Sequence, residues 1–122
     1  MFEKKMMIAL VLVLSVLIVA CGAFQFAKSD EDLGQLIADG AVLIDVRTNF
    51  EYDDTHIDGA INIPLGKLRE NYIQLDPTRT YITYCSHGLR SIKAVKILRE
   101  RGFKYAFNGG AMANIEALHH LP

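Results

Sequence analysis

The sequence predicts an α/β domain, a central parallel sheet with helices on both faces. Three observations lead there. Residues 41–46 and 81–84 are continuous runs of aliphatic and β-forming residues without polar alternation, the pattern of strands buried on both faces. Segments with helical spacing of apolar residues alternate with these runs, which within one domain argues for parallel strands joined through helices. Two residues able to do chemistry, Asp45 and Cys85, fall at the carboxyl ends of the two runs, where such sheets hold their ligands.

The elements follow in order. Ser29 with Asp32 three residues on has the form of a capping box, and Leu33, Leu36 and Ile37 supply an apolar helix face that Gly40 ends. The first strand covers 41–46. Residues 48–54 are polar around Phe50 and Tyr52 and form a short helix or loop. Residues 61–63 form a short strand stopped by Pro64, and 65–70 a short helix. Asp76, Pro77 and Thr78 mark a turn. The strand 81–84 runs into Cys85, Ser86, His87 and Gly88. A helix over 89–101 turns Ile92, Ala94, Val95 and Leu98 inward, and Gly102 caps it. A strand over 104–107, a turn at Asn108, Gly109 and Gly110, and a helix over 111–118 complete the chain.

The 122 residues suit one domain, and a formal charge of −1 excludes a general nucleic-acid binder, which needs a basic surplus. Two cysteines exclude a disulfide scaffold and a Cys-only zinc site. The N-terminus stands apart. Lys4 and Lys5 precede an apolar run over 6–24 interrupted by Ser15, which reads as an export leader with its charged end held in the cytoplasm. Its end, Ile18, Val19, Ala20, Cys21, resembles the lipobox of bacterial lipoproteins. That resemblance makes Cys21 a lipidation candidate; an uncleaved transmembrane anchor and soluble release are the other two fates. The expected organisation is a leader over 1–20, a tether over 21–29 and a domain over 30–122, exported and held on the outer side of the membrane.

The chemistry concentrates in Cys85 to Arg90. A cysteine between a buried strand and a helix start meets unpaired N–H groups and a partial positive charge, both of which favour the thiolate nucleophile. Gly88 allows a tight turn whose amides point inward as an anion nest. Arg90 adds a fixed charge. Cys85 to Arg90 is Cys-x4-Arg, six residues. Tyrosine-phosphatase loops are Cys-x5-Arg, wide enough to ring a phosphate, so this loop suits something smaller, such as one extra sulfur on the cysteine.

The sequence resembles the rhodanese family of sulfurtransferases. Leu43-Ile44-Asp45-Val46-Arg47 is similar to that family's strand end. Glu51-Tyr52 with His56-Ile57-Asp58-Gly59-Ala60-Ile61-Asn62-Ile63-Pro64 is similar to its next motif. Tyr84-Cys85-Ser86-His87-Gly88-Leu89-Arg90-Ser91 is similar to its active loop. Size and leader make the chain most similar to single-domain periplasmic rhodaneses of the phage-shock-protein-E type. The resemblance implies a Cys85 persulfide formed from thiosulfate or a similar donor and discharged to cyanide or a thiol. Amides from Ser86, His87, Gly88, Leu89 and Arg90 would stabilise it, without metal or organic cofactor, in a monomer. A non-catalytic persulfide carrier and a Cys-dependent phosphatase or arsenate reductase on the same fold are the alternatives.

Supporting roles are expected elsewhere. Asp45 is an acceptor for loop or Arg47 donors, and Arg47 pairs with a carboxylate such as Glu51. His56 is a hydrogen-bonded structural histidine, and His87 faces solvent at the loop mouth. His119 and His120 point about 100° apart on a helix and make no metal site. The basic face Arg90, Lys93, Lys96, Arg99 and Arg101 is a solvated helix face that can attract anionic donors.

Overall fold

A computed structural model describes residues 2–26 and 30–119, with the side chains of 2–16 and 32–118. Helix α1 (Phe2–Phe26) is followed by α2 (Asp30–Ala38), β1 (Val42–Asp45), α3 (Asn49–Asp54), β2 (Ile61–Asn62) and α4 (Leu65–Asn71). A 3-10 turn (Tyr72–Gln74), β3 (Tyr81–Cys85), α5 (Leu89–Glu100), β4 (Ala106–Ala111) and α6 (Met112–His119) complete the order. The four strands form one parallel sheet in the order β2-β1-β3-β4.

Alternation along the buried strands feeds two apolar layers. Ile44, Val46, Tyr81 and Cys85 pack with Leu68 of α4 and with Ala94, Ile97 and Leu98 of α5. Leu43, Ile82 and Tyr84 pack with Leu33 of α2 and Ile115 of α6, and Tyr52 of α3 lies against this layer. The helices after β1 and β3 therefore lie on opposite faces. The crevice between the carboxyl ends of those two neighbouring strands is a topological switch point, where open α/β sheets bind ligands.

The structure departs from two sequence expectations. The segment Asn108, Gly109, Gly110 is not a turn but the middle of β4. Thr83 pairs with Asn108 while Cys85 pairs with Ala111, so β4 carries one extra residue as a bulge beside Cys85. A Gly pair normally signals a turn. Here Gly110 supplies a φ of +76° and Gly109 supplies close approach. A Cβ on Gly109 would lie 2.7 Å from Ile115 Cδ1 and 2.8 Å from both Ile82 Cγ2 and the Thr83 carbonyl oxygen. Gly109→Ala is therefore expected to destabilise the domain by about 1–3 kcal/mol through overpacking. Urea midpoints would read this, with Gly66→Ala as the comparison. Gly66 has open space around its Cβ direction and should be neutral or better. Equal midpoints would mean that the bulge relaxes freely.

Ile92 does not face inward; it is 55% exposed. The buried stripe of α5 runs through Ser91, Ala94 and Leu98, with Ile97 beside it, and helical geometry turns residue 92 away from that stripe. The inward position went to a serine. Thr83 Oγ1 donates to the Ser91 carbonyl at 3.1 Å, and the Ser91 hydroxyl meets Thr83 and Asn108, tying the first turn of α5 to β3 and β4.

Among the described residues no helix is long and apolar enough to cross a membrane. Helix α1 continues through position 21, but the Cys21 side chain lies outside the described residues, as do Ser29, the His119 side chain and His120.

Candidate active site

Cys85 ends β3 and is 1% exposed. The Gly88 N–H donates to its Sγ at 2.9 Å. Gly88 is the residue before α5 and has φ +100°, a conformation that side chains with a Cβ rarely adopt. The glycine thus bends Ser86–Gly88 back over the sulfur and starts a helix at the same step. An amide aimed at the sulfur, at a helix N-terminus, stabilises negative charge there. Around it Ser86 is half-buried, and His87 and Leu89 are exposed at the loop surface.

Glu51 closes the loop from the other side of the crevice. Arg90 Nη1 donates to Glu51 Oε1 at 2.7 Å and Nη2 to Oε2 at 3.0 Å, a two-pronged pair, and the Ser86 hydroxyl donates to Oε2 at 3.1 Å. This corrects the expected Arg47–Glu51 pair. Glu51 is held in reach by its own helix start. Thr48 and Glu51 form a capping box, in which Thr48 Oγ1 accepts from the Glu51 N–H while the Glu51 carboxylate accepts from the Thr48 N–H. That fixes the carboxylate over the loop. Arg90 is held by Glu51, so its charge stiffens the loop.

The Arg90 guanidinium, with help from Thr48 and Ser86, holds the Glu51 carboxyl well below the usual carboxylate range. A lowered folded-state value contributes stability that is fully present above the ordinary Glu value, about 4.3, and is lost as pH falls through the folded value. The stability gap between the wild type and Glu51→Gln should therefore be constant from pH 7 to about 5 and close as pH falls toward about 2. Urea midpoints at each pH measure it. A gap that does not change over that range would deny Glu51 its tie to Arg90.

Arg47 pairs with Asp45 instead. Arg47 Nη2 donates to Asp45 Oδ2 at 2.6 Å and to the Thr55 carbonyl at 2.6 Å, and the Arg47 N–H donates to Asp45 Oδ1 at 2.9 Å. Both side chains are buried, and the hydrogen bond to Asp45 raises the Arg47 value. Asn62 Nδ2 donates to the carbonyls of Asp45 and Arg47 at 3.0 Å each. The Tyr84 hydroxyl accepts from the Ile57 N–H at 3.2 Å, and burial pushes this phenol above its ordinary value, keeping it neutral. His56 Nδ1 lies 2.8 Å from the Tyr52 carbonyl oxygen, with its ring stacked on Tyr52. The site thus gathers Cys85, Ser86, Gly88, Arg90 and Glu51. Asp45, Arg47 and His56 brace the connection after β1. Thr48, Asn62 and Tyr84 belong to this support and were not singled out from sequence; only Thr48, three residues before Glu51, carried a readable capping signal.

Residues 29–116 match the family described as Rhodanese-like domain. The chain belongs to that family. Among rhodanese relatives, it is 38% identical over 74 residues to thiosulfate sulfurtransferase PspE of Escherichia coli (strain K12), covering 59% of this chain and 71% of that protein. It is 40% identical over 76 residues to a tRNA sulfurtransferase of Thermoplasma acidophilum, covering 62% of this chain but only 15% of that protein. The crystal structure of a rhodanese-related protein from Thermoplasma volcanium superposes with a TM-score of 0.64 at 32% identity, covering 80% of this chain and 95% of that one.

Proposed function

We propose that this rhodanese domain is a sulfurtransferase that moves sulfane sulfur from thiosulfate or a similar donor, through a Cys85 persulfide, to a thiol or cyanide. The observation that carries the reading is Cys85 Sγ at the end of β3 with the Gly88 amide aimed at it, inside a six-residue loop. The Cys85 thiolate attacks the outer sulfur of thiosulfate. The sulfur–sulfur bond of the donor breaks, sulfite leaves with the electron pair, and the outer sulfur stays on Cys85. A second nucleophile takes that sulfur and returns the electron pair to Sγ. This is covalent catalysis with ping-pong character, and preorganised N–H donors lower the cost of charge on the persulfide. The names of the relatives support sulfur transfer in general. A phosphatase reading is disfavoured because the loop from Cys85 to Arg90 is six residues, one shorter than the loops that ring a phosphate.

The test is mass spectrometry of the purified protein before and after thiosulfate, then after cyanide. One sulfur atom should be gained and then lost, with sulfite and thiocyanate released. An unchanged mass would overturn the reading.

We further propose that the N-terminal segment exports the domain and retains it at the outer side of the membrane through lipid on Cys21. The basic pair Lys4 and Lys5, the apolar run and the small residue before Cys21 support this. Cys21→Ala should abolish lipidation and maturation in membrane fractionation with N-terminal mass analysis. Unlipidated, uncleaved wild-type protein would favour the transmembrane anchor instead.

A further inference from the structure

Beside the catalytic loop, the outer face of α5 has two large apolar side chains open to water. Leu89 is 73% and Ile92 55% exposed. Lys93 and Lys96, also exposed, continue the same stripe, because residues three and four apart on a helix are neighbours. The two lysines then line a cleft of about 390 Å³ between α4 and α5, shared with Leu65, Gly66, Arg69 and Glu100. Arg69 and Glu100 approach to 3.8 Å; among the described residues neither lysine has an ion-pair partner. Charge is segregated across the domain. Helix α3 carries Glu51, Asp53 and Asp54, whereas α4 and α5 are rich in Lys and Arg, although the whole chain has a formal charge of −1.

We propose that this stripe and cleft are the docking surface for a protein sulfur acceptor whose reactive thiol has an apolar neighbour and an acidic segment next to it. The proposal rests on the sulfurtransferase reading and names the acceptor class. The apolar end of the stripe begins at Leu89, directly after the glycine that holds Cys85 Sγ. A partner thiol brought to the sulfur therefore sets its neighbouring residues on Leu89 and Ile92 and its acids on Lys93 and Lys96. Small anions need only the loop; the cleft begins about one helical turn beyond it, at Lys93, and offers length. A flat membrane on this face would cover the loop, which favours a protein. In the transfer, the acceptor thiolate attacks the outer sulfur of the persulfide, the bond to Sγ breaks, its electron pair returns to Cys85, and the acceptor leaves as the persulfide. No oxidant or reductant is consumed. Complementary charge raises the encounter rate and is screened by salt.

The full-length protein is loaded with thiosulfate and freed of excess donor. It is then offered two synthetic peptides of equal length, each with Cys and Leu followed by four Glu or by four Lys, and separately 2-mercaptoethanol. Sulfur arriving on each thiol is followed by mass spectrometry. The Glu peptide should be discharged about tenfold faster than the Lys peptide at low salt, the range of electrostatic steering, and this preference should collapse in 0.5 M salt. Lys93→Glu with Lys96→Glu should remove or invert it while discharge by 2-mercaptoethanol stays within about twofold, since the neutral thiol gains little from steering. Equal peptide rates in the wild type, or a preference that survives the double substitution, would overturn the docking surface alone. So would lysine-dependent binding to phosphatidylglycerol vesicles without peptide preference. Failure of Cys85 to take up sulfur at all would overturn the sulfurtransferase reading and the docking surface with it.

Discussion

Cys85→Ser should abolish sulfur uptake from thiosulfate while leaving the domain folded. The only other cysteine in the sequence is Cys21, so no second thiol of the domain can replace it. The change is small in volume, and a serine oxygen can accept the Gly88 N–H that now donates to Sγ. Cys85 is buried within the layer formed by Ile44, Val46, Ala94 and Leu98. A hydroxyl there costs on the order of 1–3 kcal/mol if poorly paired, which a urea titration would register as a lower midpoint and not as loss of the transition. Activity should fall below detection, because a hydroxyl at neutral pH is neither an adequate nucleophile nor able to hold a sulfur atom. Peptide mapping of the wild type should place the added sulfur on the fragment containing residue 85. Sulfur mapped to Cys21, or transfer retained by Cys85→Ser, would assign the chemistry elsewhere.

What the sequence made legible depended on whether a signal was local. The strands β1 and β3 announce themselves by uninterrupted apolar runs, and the Cys85 loop by its composition and length. That the site lies at the carboxyl ends of the strands follows from the fold class. Asp45 as an acceptor for Arg47 follows too, but the partner of Glu51 does not. Glu51 is nearer in sequence to Arg47 than to Arg90, yet the capping box turns its carboxylate toward the far side of the crevice, and Asp45 lies two residues from Arg47 with its side chain already aimed at the same guanidinium. Pairing is decided by which strand end faces which helix start, information that spacing along the chain does not hold. The Gly109–Gly110 bulge has the composition of a turn for a related reason. Glycine reports that a side chain is not tolerated, and only the packing of Ile82, Thr83 and Ile115 tells why. Hydrophobicity alone turns Ile92 inward, but the inward position at the start of α5 is occupied by Ser91, whose hydrogen bonds matter more there than apolar area.

Asp45→Asn should cost about 3–5 kcal/mol of stability, the usual penalty for stripping one partner from a buried ion pair. The shape of the side chain is kept, so the loss reports charge. Asp45 is 0% and Arg47 5% exposed, so the guanidinium left behind can reach little water. Asn would keep an oxygen for the Arg47 N–H but would lose the second oxygen that accepts from Nη2. Arg47 also holds the Thr55 carbonyl, the residue that closes α3, so the damage should spread to the helix that carries Glu51. Amide signals of Ser86 and Arg90 should then broaden or shift although neither touches Asp45. The decisive comparison is Asp45→Asn with Arg47→Met. Removing the stranded charge leaves the site neutral, with the amide at position 45 still accepting from the residue 47 N–H, and the double variant should be more stable than Asp45→Asn alone, because leaving a charge unpaired is worse than having no pair. A double variant less stable than the single one would mean that Arg47 contributes through Thr55 and its packing on Tyr84 more than through Asp45. Thermal and urea unfolding of the four proteins in the cycle give the coupling directly. A more stable double variant would locate the rigidity of the crevice in the β1 end, one strand away from Cys85.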